Sequence, residues 1–390
     1  MLLDTIILRM KSRLRILIKS ERFGLLTSRL ESVVVEQNYS EKIVYQALSF
    51  NAPDRLPVFE NFWQAWENMW RKESGFASYI APDDYFGMDI KIAAANETLF
   101  STHIRTIAVE GESILQDDGW GRIVRIKPDT YFCEPVEHLF TNHSDIDNIE
   151  FDNALLDSRY EVFLETVTKY RQKGRAIFLK IGGVFIRSSF FRGEAEFLMD
   201  LASDESFAKS IAEKIGNHLL QIGIESLKRA SQQNLGVWIY DDMCNVQGPM
   251  FSPQVFERVF LPIYKKMVSE LKLAGAKWVI LHCDGNLRPL LEMIIEAGFD
   301  GINPVERAAG LIIEDLIETY YGRLCFIGGI CNTHILPNGD FAAIRSHIER
   351  VIQAGKNGGL IIGTHSIGPD IPVKHYELYR KILADKGKFI

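Results

Sequence analysis

The segment His282-Cys283-Asp284-Gly285-Asn286 carries the densest chemistry in the chain, and it follows directly on the apolar run Trp278-Val279-Ile280-Leu281. Residues two apart on a strand share a face, so His282 and Asp284 point together while Cys283 points the other way. An imidazole beside a carboxylate can hold a metal, or act as a base with the carboxylate orienting it. A structural histidine bonded to a neighbouring aspartate is the plainer alternative. Three further apolar runs end as abruptly. Leu360-Ile361-Ile362-Gly363 ends in Thr364-His365-Ser366, which offers a second imidazole. Gly236-Val237-Trp238-Ile239-Tyr240 ends in Asp241-Asp242, paired carboxylates that could bind a cation, share a proton or accept substrate N–H groups; either could equally cap the following turn. Ile302-Asn303-Pro304-Val305 ends in Glu306-Arg307, where Glu306 is a ligand, a base or the partner of Arg307. His282, Asp284 and His365 are thus the candidate metal ligands, and Asp241, Asp242 and Glu306 the candidate catalytic residues. Tyr240, Gln247, Asn286 and Asn303 stand beside them as candidate substrate contacts.

Side chains from four distant segments can meet only if those segments end side by side. From about Pro57 onward the chain alternates short β-type runs with helical patterns, the signature of parallel βα units. Eight runs qualify as strands: 56–59, part of 87–95, 176–181, 236–240, 278–282, 301–303, 324–327 and 360–363. Eight is the number that closes a barrel, and a barrel keeps its chemistry at the carboxyl ends of its strands. The helices between them carry their own stops and starts. Ser252-Pro253 gives an N-cap and a first-turn proline ahead of 255–273, Asp204 precedes 207–230, and Gly275 and Gly298 are plausible terminators. Residues 103–127 break the alternation: β-rich arms flank Gln116-Asp117-Asp118-Gly119, which predicts an inserted β-hairpin that could roof the site. The reading is α/β: one single (β/α)8 TIM-barrel domain over 40–390, behind an amino-terminal helical extension over 1–39.

Bulk properties narrow the function. The chain has 390 residues, 47% of them hydrophobic and 24% charged, ample for one large core. A net charge of -7 repels phosphate backbones, so nucleic acid is excluded as the expected partner. Five scattered cysteines with no CxxC pair suit a reducing cytoplasm, and no apolar run is long enough to span a bilayer. Residues 3–20 mix Ile6, Ile7, Leu8, Leu14 and Ile16 with Arg9, Lys11, Arg13, Arg15 and Lys19. Such a basic amphipathic helix packs on the barrel or a partner subunit, or lies on a membrane surface. It is no signal peptide, because charges interrupt every apolar stretch.

These strand ends also look familiar. The stretches Ala52-Pro53-Asp54-Arg55-Leu56-Pro57-Val58, Asp84-Tyr85-Phe86-Gly87-Met88-Asp89-Ile90, Arg192-Gly193-Glu194 and Asp241-Asp242 with Gln247-Gly248 come first. Ser252-Pro253, His282 to Asn286, Gly301 to Glu306, Gly328-Gly329 and Pro369-Asp370-Ile371-Pro372 follow. In this order they resemble the uroporphyrinogen decarboxylase superfamily, which includes the methylcobamide:coenzyme M and related corrinoid-dependent methyltransferases. The resemblance runs from about Ser40 to the carboxyl terminus and implies a (β/α)8 barrel.

What it implies for activity depends on the branch. The decarboxylase is metal-free and meets its carboxylate-rich tetrapyrrole with an arginine-rich segment of the form RQAGRY. The matching place here, Glu60 to Trp70, has two glutamates and no arginine, and like charges buried together are costly. Its aromatic residues Phe62, Trp63, Trp66 and Trp70 suit a flat or apolar substrate, or form a core-facing helical stripe. The methyltransferase branch resembles the chain more closely. It holds zinc with an H-x-C pair after this strand and a cysteine after the last one. His282 matches the first ligand, Asp284 stands where the first thiolate would be, and His365 stands near the second. A His, Asp, His set is harder and more Lewis acidic than a thiolate site, suited to polarising an oxygen or nitrogen. The resemblance therefore implies a divalent metal, zinc first, and a corrinoid carried by a partner protein, with a homo-oligomer compatible. Two alternatives stay open: metal-free decarboxylation with Asp241 or Asp242 gripping pyrrole N–H groups, and a non-catalytic barrel that binds a small molecule or corrinoid protein.

Overall fold

The computed structural model describes residues 39–127, 133–230 and 234–389. The extension expected over 1–39, with its basic helix at 3–20, lies outside the described residues except for Tyr39. Helix α1 (Tyr39–Leu48) comes first, then α2 (Gln64–Ser74) and β1 (Ile90–Ala94). An antiparallel excursion follows: β2 (Arg105–Glu110), β3 (Ser113–Asp117), β4 (Arg122–Ile126) and β5 (Glu134–His138). The chain then runs through α3 (Glu161–Arg171), β6 (Ala176–Gly182), α4 (Val184–Arg192), α5 (Glu194–Ser203), α6 (Glu205–Arg229) and β7 (Gly236–Tyr240). After α7 (Leu261–Leu273) come β8 (Trp278–His282), α8 (Leu291–Glu296), β9 (Gly301–Asn303) and α9 (Ile313–Tyr320). The last elements are β10 (Cys325–Gly329), α10 (Phe341–Gly355), β11 (Leu360–Gly363) and α11 (Val373–Lys386).

Seven strands form one curled parallel sheet in the order β1-β6-β7-β8-β9-β10-β11, consistent with a (β/α)8 barrel. Residues 56–59 lie between its two edges. Phe59 N–H bonds the Ile362 carbonyl and Ile362 N–H bonds the Pro57 carbonyl, while Asp89 N–H bonds the Val58 carbonyl at 3.0 Å. Gly363 has to lack a side chain here, because the Phe59 carbonyl oxygen lies 1.9 Å from where its Cβ would sit.

Strand alternation sorts the apolar residues into two cores. Phe59, Ile90, Ala176, Phe178, Trp238, Ile280, Ile327 and Ile361 cluster together with Val44, Ala47 and Leu48 of α1, so that this helix plugs one end of the curled sheet. Ile177, Leu179, Ile181, Val237, Ile239, Val279 and Leu281 belong to the second cluster, packed under the surrounding helices.

Local signals explain most of the boundaries. Asp204 caps α6 by accepting the Phe207 N–H at 3.2 Å. Ser252 accepts the Val255 N–H at 3.3 Å, but the helix expected over 255–273 is interrupted, since 256–260 form a π-turn before α7 begins. The excursion is larger than a hairpin: β2, β3, β4 and β5 form a four-stranded antiparallel sheet. The Asp118 carboxylate accepts the Trp120 N–H and pairs with Arg122 across its central turn. Trp120 meets the Phe190 ring edge-on at 6.0 Å and takes the Arg187 guanidinium over its face, so the sheet is anchored on α4.

Candidate metal centre

His282 is the last residue of β8, and its burial leaves one ring nitrogen facing the carboxyl-end rim. Its Nδ1 lies 2.7 Å from Asn303 Oδ1, in the neighbouring strand and directly across the ladder. The Asn303 amide nitrogen donates to the Ile327 carbonyl at 3.1 Å. That bond directs the amide oxygen at the imidazole, so Nδ1 carries the proton and Nε2 keeps its lone pair. A histidine held in this way is prepared for a metal.

The Nε2 lone pair faces Asp284. Its Oδ1 lies 3.4 Å from His282 Nε2 and 3.3 Å from His365 Nε2, and the three donor atoms lie within 4.8 Å of one another. Asp284 Oδ1 is buried yet makes no hydrogen bond among the described residues. A tetrahedral ion with bonds of about 2.0–2.1 Å spaces its ligands ~3.3 Å apart, which the two measured separations match. The arrangement fits a divalent ion. Burial pushes the Asp284 carboxyl up, but His282 and His365, when each ring carries its second proton, more than offset this and hold it below the usual carboxylate range.

Neighbouring groups orient the set. Glu306 Oε1 lies 3.5 Å from His365 Nδ1, and its Oε2 accepts the Gly285 N–H at 2.7 Å. Burial disfavours the imidazolium of His365, yet Glu306, Asp284 and Asp242 together raise its pKa. Gly285 adopts φ 84°, and the Asn245 carbonyl oxygen lies 2.4 Å from where a Cβ would be. Only glycine lets the ligand-bearing turn pass so close to the 243–248 loop. Tyr240 stacks on His282 with ring centroids 4.1 Å apart.

The aspartate pair divides. Asp242 Oδ1 lies 3.8 Å from His282 Nε2 on the rim. Desolvation raises its pKa against the pull of His282, and the charge of Asp284 adds to the rise. Asp241 is fully buried and turned outward, accepting the N–H groups of Phe185 (3.1 Å) and Ile186 (2.7 Å) and the Tyr264 hydroxyl. It anchors the start of α4, a position that corrects its assignment as a catalytic group.

Other expectations also move. Asn303 is buried and serves His282, where a substrate contact was expected. Phe62 packs among Trp66, Phe86 and Tyr376 in an aromatic cluster beneath α2 and α11, which realises the core-facing alternative. Trp63 is tied to the segment that follows β11 by its backbone N–H bond to the Ile367 carbonyl. Gln247 and Asn286 meet through the Gln247 carbonyl and the Asn286 amide at 3.5 Å, beside the ligand turn. Cys283 is buried on the opposite face with the Met243 N–H 3.3 Å from its sulfur, as alternation requires. Sequence reasoning missed Lys180, a cation in the otherwise apolar run Ala176–Gly182. That interruption was the available signal.

No curated protein matches the sequence. A solved methyltransferase from Methanosarcina mazei shares the fold with a TM-score of 0.66 at 14% identity, over 89% of this chain and 98% of that one. The model of the uroporphyrinogen decarboxylase (URO-D) family matches residues 119–383. With more than half of its residues so matched, the chain belongs to the URO-D family.

Proposed function

We propose that this chain is a metal-assisted methyltransferase that works with a corrinoid carried by a separate protein. The observation that carries the reading is the convergence of His282, Asp284 and His365 around an orphaned carboxylate oxygen. These three residues would hold a divalent ion, zinc first. When bound, such an ion supplies Lewis acidity to an oxygen or nitrogen of the methyl-bearing or methyl-accepting molecule.

The chain's own residues set the rest. Asn303 keeps Nε2 of His282 bare, and Glu306 holds the far side of His365. Asp242, with its raised pKa and its place on the rim, is the group suited to take or return a proton at the reacting molecule. Gln247 and Asn286 meet beside the turn that carries Asp284. A structural neighbour that is itself a methyltransferase supports the branch. The decarboxylase alternative loses Asp241 as a grip for pyrrole N–H groups, because backbone donors and Tyr264 already occupy it. The same reading includes an eight-stave barrel closed by 56–59, the helical extension over 1–39, and a cytoplasmic location consistent with five free cysteines.

Elemental analysis of the purified protein tests the reading directly. About one divalent ion per chain is expected in the wild type and little in His282→Ala, with the fold retained. Equal and negligible metal in both proteins would overturn it.

A further inference from the structure

Lys180 lies inside the curled sheet. It shares a face of β6 with Ala176 and Phe178, both in the interior cluster, and is itself half-buried. Its ammonium sits over the Tyr240 ring, 4.4 Å from the centroid. Among the described residues it has no hydrogen-bond acceptor and no ion-pair partner. Glu97 is near enough to attract it, but that carboxylate is taken by the Gly182 N–H and Arg187. The side chain lines a cavity of about 310 Å³ together with Phe59, Glu60, Asn61, Asp83, Lys91 and Tyr240. The carboxylates of this cavity have other partners, Asp83 in Lys91 and Arg175 and Glu60 in Thr364, so a half-buried ammonium without an ion pair of its own is costly unless a ligand supplies one.

The position of the cavity gives that counter-charge a role. Tyr240 stands between Lys180 and His282 in the strand order, touching the ammonium and stacking on the imidazole. A molecule of a few bonds would reach from one to the other past a single tyrosine. We propose that Lys180 binds the anionic head group, a carboxylate or its like, of a small substrate whose other end meets the His282–Asp284–His365 centre. The second half of this statement rests on the metal-assisted reading above; the first half does not. Burial lowers the pKa of Lys180 against the pull of Glu97 and Asp242.

Two binding measurements separate the halves. With metal-stripped full-length protein, saturation-transfer NMR is recorded for propionate and for 1-propanol. Propionate is expected to bind the wild type and Lys180→Arg, and to lose at least tenfold in affinity in Lys180→Met; 1-propanol is expected to be indifferent to all three. With zinc-loaded protein, the monohydroxamate of succinate is compared with butyrohydroxamate, which lacks the carboxylate. The charged probe is expected to bind about tenfold tighter in the wild type, and the preference is expected to vanish in Lys180→Met. Failure of both hydroxamates to bind overturns the metal reading while leaving the propionate result to stand. Equal propionate binding by wild type and Lys180→Met, or none by the wild type, overturns the anion site. Thermal melts of the variants show whether a loss reflects unfolding, and Lys180→Arg supplies a charged variant in which binding must survive.

Discussion

An imidazole serves a metal only when the right nitrogen is bare, and at His282 that choice belongs to Asn303. The amide receives the Nδ1 proton because its own nitrogen is committed to the Ile327 carbonyl. Replacing Asn303 by Leu removes the acceptor and frees the ring to turn or change tautomer. Outer partners of this kind typically contribute about 10–100-fold to metal affinity. Asn303→Leu should lose that much in competition with a chromophoric chelator, while Asn303→Asp, which keeps an acceptor, should stay near the wild type. Unchanged zinc affinity in Asn303→Leu would show that another group sets the tautomer. The three candidate ligands were legible because each follows an apolar strand, and because a period of two aims His282 and Asp284 the same way. Asn303 was visible as a residue but not as a role. Its role depends on lying opposite His282 in the ladder, and register between strands is a property of the folded sheet.

At the scale of elements, the aspartate pair shows how far alternation could have been taken. Tyr240 faces inward with His282, so Asp241 must face outward and Asp242 inward again. The sequence contains that deduction once Tyr240 is placed; it does not contain the N–H groups of α4 that await Asp241. A comparable tie joins residues 56–59 to β11. Glu60 accepts both the N–H and the hydroxyl of Thr364, the residue immediately before His365. Burial raises the Glu60 pKa to about 7 from 4.5. Between those values the native state keeps a proton that the unfolded chain has released, so stability falls as pH rises through this window and levels off above it. Glu60→Gln carries no such proton. The stability gap between wild type and variant should therefore shift by on the order of 2 kcal/mol, against the wild type, between pH 5 and pH 8. Urea unfolding at both pH values measures the shift, and parallel pH dependences would mean that Glu60 ionises in the native protein much as it does in water.

The whole molecule depends on joining its two sheet edges, and one fully buried carboxylate sits at that seam. Asp89, next to β1, receives both guanidinium nitrogens of Arg55 at 2.7 Å, the Val58 N–H at 2.8 Å and the Ser40 hydroxyl at 2.6 Å. It thereby ties α1 and residues 55–58 to the opening strand. The segment Ala52-Pro53-Asp54-Arg55-Leu56-Pro57-Val58 marked the first of eight expected strands, but sequence alone could not show that a charge pair holds it there. Neutralising one member of a buried pair typically costs about 3–5 kcal/mol. Arg55 keeps 29% of its side chain exposed and can recover some hydration, which places Asp89→Asn near the lower end, at about 3 kcal/mol. The natural control is Glu134, whose carboxylate lies 3.5 Å from Arg125 on the solvent-facing excursion; Glu134→Gln should change stability by no more than ~0.5 kcal/mol. Chemical denaturation of both variants compares the seam with the surface. If Asp89→Asn loses no more than Glu134→Gln, the edges are held by the packing of Val58, Phe59 and Ile362 alone. If it loses several times as much while folded protein still binds zinc normally, the carboxylate closes the sheet without taking part in the chemistry at its rim.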